Sequence, residues 1–449
     1  MIEMEKEAEQ ERLIQRACQH EAFDMEANEF YVRSSVMAWG ARVLEKALNG
    51  FGAGRRDKPV LCRCGRKMRS RGLRRKTIQT LLGPVTFLRA VYECRTCGAS
   101  RVPADEALDV AGGGFSPGAR RLMCRAGSRE SFREGAEDLG LYGNFKTTAK
   151  DVERVAEATG RQIENWMQRQ TGKALYHDAA GVVPPEAGPP VPVLYISYDG
   201  TGAPMRRNEL AGRKGKQPDG SSKTREVKLG CVFTQTILDE EGRPVRDPDS
   251  TTYVGAIKTS DEFGYDIHGE AVRRGLRQAG CVVILTDGIA YNKSIAAEHF
   301  PGALHIIDLF HAREHLHKFM KLLPVAERTV QLENHWLATL DKGDVEAMAA
   351  QMRPLLPADD KTHKEAEDHI LYFENNAEHM RYKKFREQGL FVGSGVVEAG
   401  CKTLIGKRLK QSGMFWTVKG ANAIIAARCC QYSGRFEQFW EDRASVAAA

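Results

Sequence analysis

The sequence predicts an α/β chain whose second half is a mixed sheet with helices, preceded by a small cysteine-bearing ribbon and a helical region. Three observations lead there. Two cysteine pairs, Cys62/Cys64 and Cys94/Cys97, bracket a stretch that reads as a β-hairpin. A Pro/Gly run, "GVVPPEAGPPVP" at residues 181–192, marks a linker. Beyond it, apolar runs of strand length alternate with helical periods, and two of them, "VLYISYDG" and "CVVILTDG", end in Asp-Gly.

At 449 residues the chain is long enough for two or three domains, and its 42% hydrophobic and 28% charged composition suits a globular protein with a sizeable core. The start, "MIEMEKEAEQERLIQ", carries no apolar segment of a secretory signal, and no apolar run reaches the roughly 20 residues of a membrane span. Eleven cysteines, an odd number, favour thiols and metal ligands in a reducing compartment over a disulfide framework. A cytoplasmic, DNA-associated location with no membrane partner is expected. The net charge of +7 is unevenly spread: residues 55–101 hold fourteen Lys or Arg against Asp57 and Glu93. Such a density around cysteine pairs points to a polyanion.

In chain order, residues 1–54 read as a helical region ending at a glycine. Residues 55–110 form a zinc-ribbon-like domain. "TIQTLLGPVTFLRAVY" is its hairpin, turning at Gly83-Pro84, and Cys62, Cys64, Cys94 and Cys97 converge as the four thiolates that structural Zn²⁺ prefers. Residues 111–180 are helical. Ser116-Pro117 opens one helix, Ser131 and Glu134 form a capping box, Thr148 and Asp151 suggest another, and "LYGNF" joins a helix-turn-helix-like pair suited to a DNA groove. After the 181–192 linker, residues 193–449 hold the sheet, with a polar helical insertion at about 318–388.

The first three strands of that region follow one another as hairpins. A crossover helix then returns "CVVILTDG" beside "VLYISYDG" in parallel. Asp199 and Asp287 would emerge at the same sheet edge, where two carboxylates repel unless a cation lies between them, and Mg²⁺ suits oxygen ligands of this kind. A glutamate among apolar neighbours, Glu398, supplies a third carboxylate, one turn before Lys402. The basic run Lys402, Lys407, Arg408 and Lys410 with Trp416 reads as a nucleic-acid contact. Asp308 also ends a strand, with His311 three residues on, and competes with Asp287 as second ligand.

Several stretches carry a family resemblance: "TLLGPVTFLRAVYECRTCG", "SYDGTGAPM", "TREVKLGCVFTQT", "DPDSTTYVGAI", "FPGALHIIDLFHAREHL", "RYKKFREQGLFVGSGVVEAGCKTLIGKRLKQSGMFWTVKGANAI" and "SGRFEQFWEDR". The chain resembles bacterial insertion-sequence transposases of the DDE class, the ISKra-type group related to Mutator-like elements, from about residue 60 to its end. The resemblance implies an RNase H-like catalytic core split by a helical insertion, with Asp199, Asp287 and Glu398 as catalytic triad and ligands of Mg²⁺ (or Mn²⁺), and Asp308 and His311 near the site. It implies two-metal DNA cleavage and strand transfer on transposon ends and target DNA by a homo-oligomer. The stretch after Asp287, "GIAYNKSIAAEHFPG", departs from the aromatic-rich pattern of the family. Two other functions compete. One is a non-catalytic DNA-binding regulator built from the ribbon and helix-turn-helix. The other is a zinc peptidase using the H-x-x-E-H motif His311, Glu314 and His315.

Overall fold

A computed structural model describes residues 7–8, 11–12, 14–15, 24–56, 58–215, 217 and 220–448. The chain is mixed α/β and divides into two units, residues 1–159 with 437–449, and residues 160–436. The division falls inside one long helix, Ala149–Ala179, and the Pro/Gly stretch 181–192 lies within the second unit.

In the first unit a helix, Met25–Gly50, starts where the Asp24 carboxylate accepts the Ala27 N–H. A three-stranded sheet follows in the order β1-β2-β3: Arg69–Thr80, Gly83–Glu93 and Ser100–Arg101. The hairpin turns at Leu81-Leu82, not at Gly83-Pro84. Thr80 Oγ1 accepts the Leu82 N–H and donates to the Gly83 carbonyl, so the turn closes two residues before Pro84 pairs with Gln79. Side chains from the long helix cover the free edge of β2: Asn49 Oδ1 accepts the Leu88 N–H and Glu45 Oε2 accepts the Thr86 N–H. The helices Pro117–Arg129 and Phe132–Leu141 begin at the expected Ser116 cap and Ser131/Glu134 box. At the next helix Thr148 Oγ1 accepts the Asp151 N–H and donates to its carboxylate. These helices close on Met123, Leu139, Phe145 and Val152.

The second unit is built on a five-stranded mixed sheet. Its strands are β4 (Val193–Pro204), β5 (Thr224–Gln235), β6 (Thr252–Ala256), β7 (Cys281–Thr286) and β8 (Leu304–Ile307), in the order β8-β7-β4-β5-β6. The β4-β5 and β5-β6 pairs are antiparallel, whereas β7 runs parallel to both β4 and β8. The central strands are apolar because both faces are covered. Leu194, Ile196, Tyr198 and Ile284 pack with Phe263 and Ile267 of the helix Ser260–Arg273 on one face. Tyr195, Phe233, Val283 and Leu285 pack on the other with the helices between β8 and Glu398, which run from Leu309 to Glu387 around Phe319, Trp336 and Phe373. Among the described residues no helix is long and apolar enough to cross a membrane.

Candidate carboxylate site and cysteine centre

Register places the two aspartates. Ser197 of β4 lies opposite Leu285 of β7, and two residues further come Asp199, still within β4, and Asp287, the first residue after β7. By the two-residue alternation of strands, Asp199 shares a face with Tyr195, and Asp287 leaves the adjacent strand close enough for its charge to act there. Their fields overlap. Burial raises the Asp199 carboxyl above its ordinary value and the Asp287 charge adds to it, opposed by the Gly200 N–H, His311 and the Cys401 thiol. Asp199 Oδ1 accepts the Gly200 N–H at 2.6 Å.

The loop after β7 is fixed from two sides. Asp287 Oδ1 accepts the Asn292 amide at 2.7 Å and the Ile289 N–H at 3.1 Å, while the Asp287 carbonyl accepts the Tyr372 hydroxyl at 3.1 Å. Asn292 is itself fully buried, and its carbonyl takes the Tyr198 hydroxyl. Neither Asn292 nor Tyr372 stood out in the sequence. An Asn five residues beyond Asp287 is a local signal that could have been read; Tyr372 arrives from the distant insertion.

Glu398 sits on the short helix Gly395–Gly400, packed on β4 and β5. Close approach requires Gly400, since a Cβ there would lie 2.9 Å from the Tyr253 ring and 3.2 Å from Leu229 Cδ2. Gly400→Ala is expected to cost about 1–3 kcal/mol through overpacking, read as a lowered midpoint in urea with an unchanged slope. The helix continues as a π-helical stretch, Cys401–Gly406, which rests on β4 and lets Cys401 meet Asp199. Glu398 is paired with Lys402 at 3.6 Å. Among the described residues, the three carboxylates do not converge as one cluster of metal-ligating atoms; the four cysteines do.

The Asp308 carboxylate is taken up by backbone N–H groups. It is fully buried, its Oδ1 accepts the Phe310 and His311 N–H groups at 2.5 and 2.9 Å, and its Oδ2 accepts the Ser394 N–H. It caps the helix Leu309–Leu322 and ties the segment that leads into the Glu398 helix. Asp308→Ala removes the acceptor of three backbone N–H groups, that of Ser394 buried, so a stability loss of about 2–3 kcal/mol is expected from denaturant titration. His311 stands on the cap's first turn, 3.9 Å from Glu314. His315 is turned elsewhere. Its ring stacks on Tyr372 at 3.7 Å and its Nδ1 meets His369 Nδ1 at 3.0 Å, while burial and His369 lower it to about 4. The H-x-x-E-H residues therefore make no metal cluster.

The basic segment after Glu398 splits in two. Lys402, Lys407 and Lys410 are exposed, with Lys410 donating to Thr201 Oγ1 at 2.5 Å. Arg408 and Trp416, expected at a nucleic-acid surface, are instead buried. The Arg408 guanidinium lies 4.9 Å from the Trp416 ring centre, and the indole N–H donates to the Leu409 carbonyl. A cation stacked on an indole satisfies both groups inside the protein, which the spacing alone could not distinguish from a solvent face.

In the first unit Cys62, Cys64, Cys94 and Cys97 converge with all sulfurs within 4.8 Å of one another. Cys62 and Cys97 are 3.5 Å apart and Cys64 and Cys94 are 3.6 Å apart, near the ~3.8 Å edge of a tetrahedron with 2.3 Å zinc–sulfur bonds. Each pair sits on a tight turn. The Gly65 N–H donates to the Cys62 carbonyl and the Gly98 N–H to that of Cys94, both glycines having positive φ. The Cys97 and Thr96 N–H groups aim at the Cys94 sulfur and lower its pKa to about 6. The cluster could hold zinc as a structural ion.

Comparison with protein-family models and with curated proteins finds no match to this chain.

Proposed function

We propose that this protein is a DDE transposase that cuts DNA at insertion-sequence ends and joins the ends to new DNA. The carrying observation is the sheet register: two aspartates, each two residues past the last parallel pair Ser197–Leu285 of adjacent strands, with a glutamate-bearing helix packed on β4 and β5. Three antiparallel strands, then two parallel ones added on the far side of the first, agree with an RNase H-like core, and the five-helix stretch before Glu398 agrees with its insertion.

The donor set fits a divalent cation. Asp199 and Asp287 offer hard oxygens, and their mutual repulsion is what a cation relieves. Both would hold Mg²⁺ or Mn²⁺, joined by Glu398 on release from Lys402. The bound ions supply charge neutralisation at the scissile phosphate and acidify the attacking water or 3′-hydroxyl. The chain's own residues do the positioning. Cys401 and the Gly200 N–H orient Asp199, Asn292 and Tyr372 fix Asp287, and Asp308 anchors the approach to Glu398. Zinc in the cysteine quartet holds the ribbon, and DNA-bound oligomers carry out the joining.

The test uses purified protein with Mg²⁺ and duplexes taken from the DNA flanking its gene. Cutting at an inverted repeat followed by joining to a plasmid supports the reading. DNA binding without any cutting, in Mg²⁺ or Mn²⁺, favours the regulator.

A further inference from the structure

The hairpin that carries Asp199 extends well past the site. Strands β4 and β5 stay paired to Pro204 and Thr224, five residues beyond Asp199 or roughly 17 Å. The described residues at its tip, within 205–223, hold five Lys or Arg and one acid. Arg206, Arg207, Arg213, Lys214 and Lys223 are exposed, and no ion pair neutralises them among the described residues. Burial, then repulsion from Arg213, lowers the pKa of Arg225 on the adjoining strand.

This tip is fastened in place. The Arg206 N–H donates to the Trp416 carbonyl and the Trp416 N–H to that of Pro204, bridging Met205 to Trp416. Trp416 is anchored in turn by Arg408 and Leu409. The base of the hairpin tip is therefore tied to the segment that exposes Lys407 and Lys410. Lys410, on Thr201, bridges the distance to Asp199.

We propose that this surface is a phosphate-binding track for duplex DNA, running from the Asp199 edge to the hairpin tip. It rests on the reading of DNA as the substrate. Cations at the tip and Lys410 near Asp199 stand at the two ends of a hairpin stretch of roughly 17 Å, about half a turn of B-DNA, whose turn is about 34 Å. Regular phosphate spacing rewards such fixed charges, whereas a solvated loop has no need of a bridge to a buried tryptophan.

The experiment compares full-length protein with the combined variant Arg206→Gln, Arg207→Gln, Arg213→Gln and Lys223→Gln. Both carry Asp199→Asn, so that binding is measured without cutting. Anisotropy of a labelled random-sequence duplex is followed against KCl. Each lost phosphate contact removes about 0.9 from the log–log salt slope, so loss of four is expected to lower the slope by about 3.6 and affinity at 0.1 M salt by about 30-fold or more. Unchanged thermal unfolding verifies the fold of the variant. A slope within about half a unit of the parent's would overturn the track, as would a loss confined to single strands. Cleavage by the otherwise native chain is assayed separately. A track variant with reduced slope in a protein that never cuts leaves the surface standing and removes the transposase. A cutting protein whose track variant keeps the native slope does the reverse.

Discussion

Asp199→Asn is expected to abolish strand cleavage, by about 10³-fold or more, while duplex binding persists. Asp287→Asn should do the same, since the two carboxylates face one charge problem from neighbouring strands. Substitution by the amide preserves shape and removes the charge that would hold an ion. The pH behaviour gives an independent readout. The folded-state pKa of Asp199 is raised above its ordinary 3.8. The native state therefore binds this proton more tightly than the unfolded chain, and stability falls as pH rises from near 3.8 through the raised value. Above that window the ionised group costs stability, and the metal-free Asn variant should melt at a higher temperature than the parent at neutral pH. The difference should vanish below pH 3.8. Added Mg²⁺ should stabilise the parent and leave the variant unmoved. Equal cleavage by parent and both variants would remove the assignment.

The second large effect concerns zinc. At the cysteine end the ribbon buries only Val60, Met68, Ala90 and Tyr92 besides the sulfurs, little apolar surface to hold both knuckles, whereas Ile78 and Phe87 near the hairpin turn pack with Val110. Metal binding of about 10 kcal/mol or more would then be folding energy for this region. The purified chain is expected to contain one zinc, counted by metal analysis after thiol displacement. Chelation, or Cys94→Ser, should raise amide exchange across residues 60–70 and 90–101, the cysteine end of the ribbon, by several orders of magnitude. Cys281→Ser, at a cysteine outside the quartet, should leave that exchange unchanged. Protection that survives complete metal removal would show that the arginine-rich hairpin folds on packing alone.

Much of this was legible in the sequence because it depends on short-range chemistry. The Ser131/Glu134 box, the Ser116 cap, the glycines after each cysteine pair and the strand runs around Asp199 and Asp287 are local patterns, and the structure contains each. The neighbour relation of β4 and β7 also followed, since a crossover helix after three hairpin strands leaves few other places. What the sequence could not decide was burial of polar groups and contact between distant segments. Asp308 and Asp287 both follow strands; the first caps its own helix locally, but only tertiary structure brings the Ser394 N–H to its second oxygen and buries it. Arg408 and Trp416 read as a DNA surface until packing turned them on each other. The hairpin turn moved to Leu81-Leu82 because the Thr80 hydroxyl closes it there. Hydrogen-bonding capacity is a property of residue type, but whether water or protein satisfies it depends on which far segments arrive, and that is decided only when the chain folds.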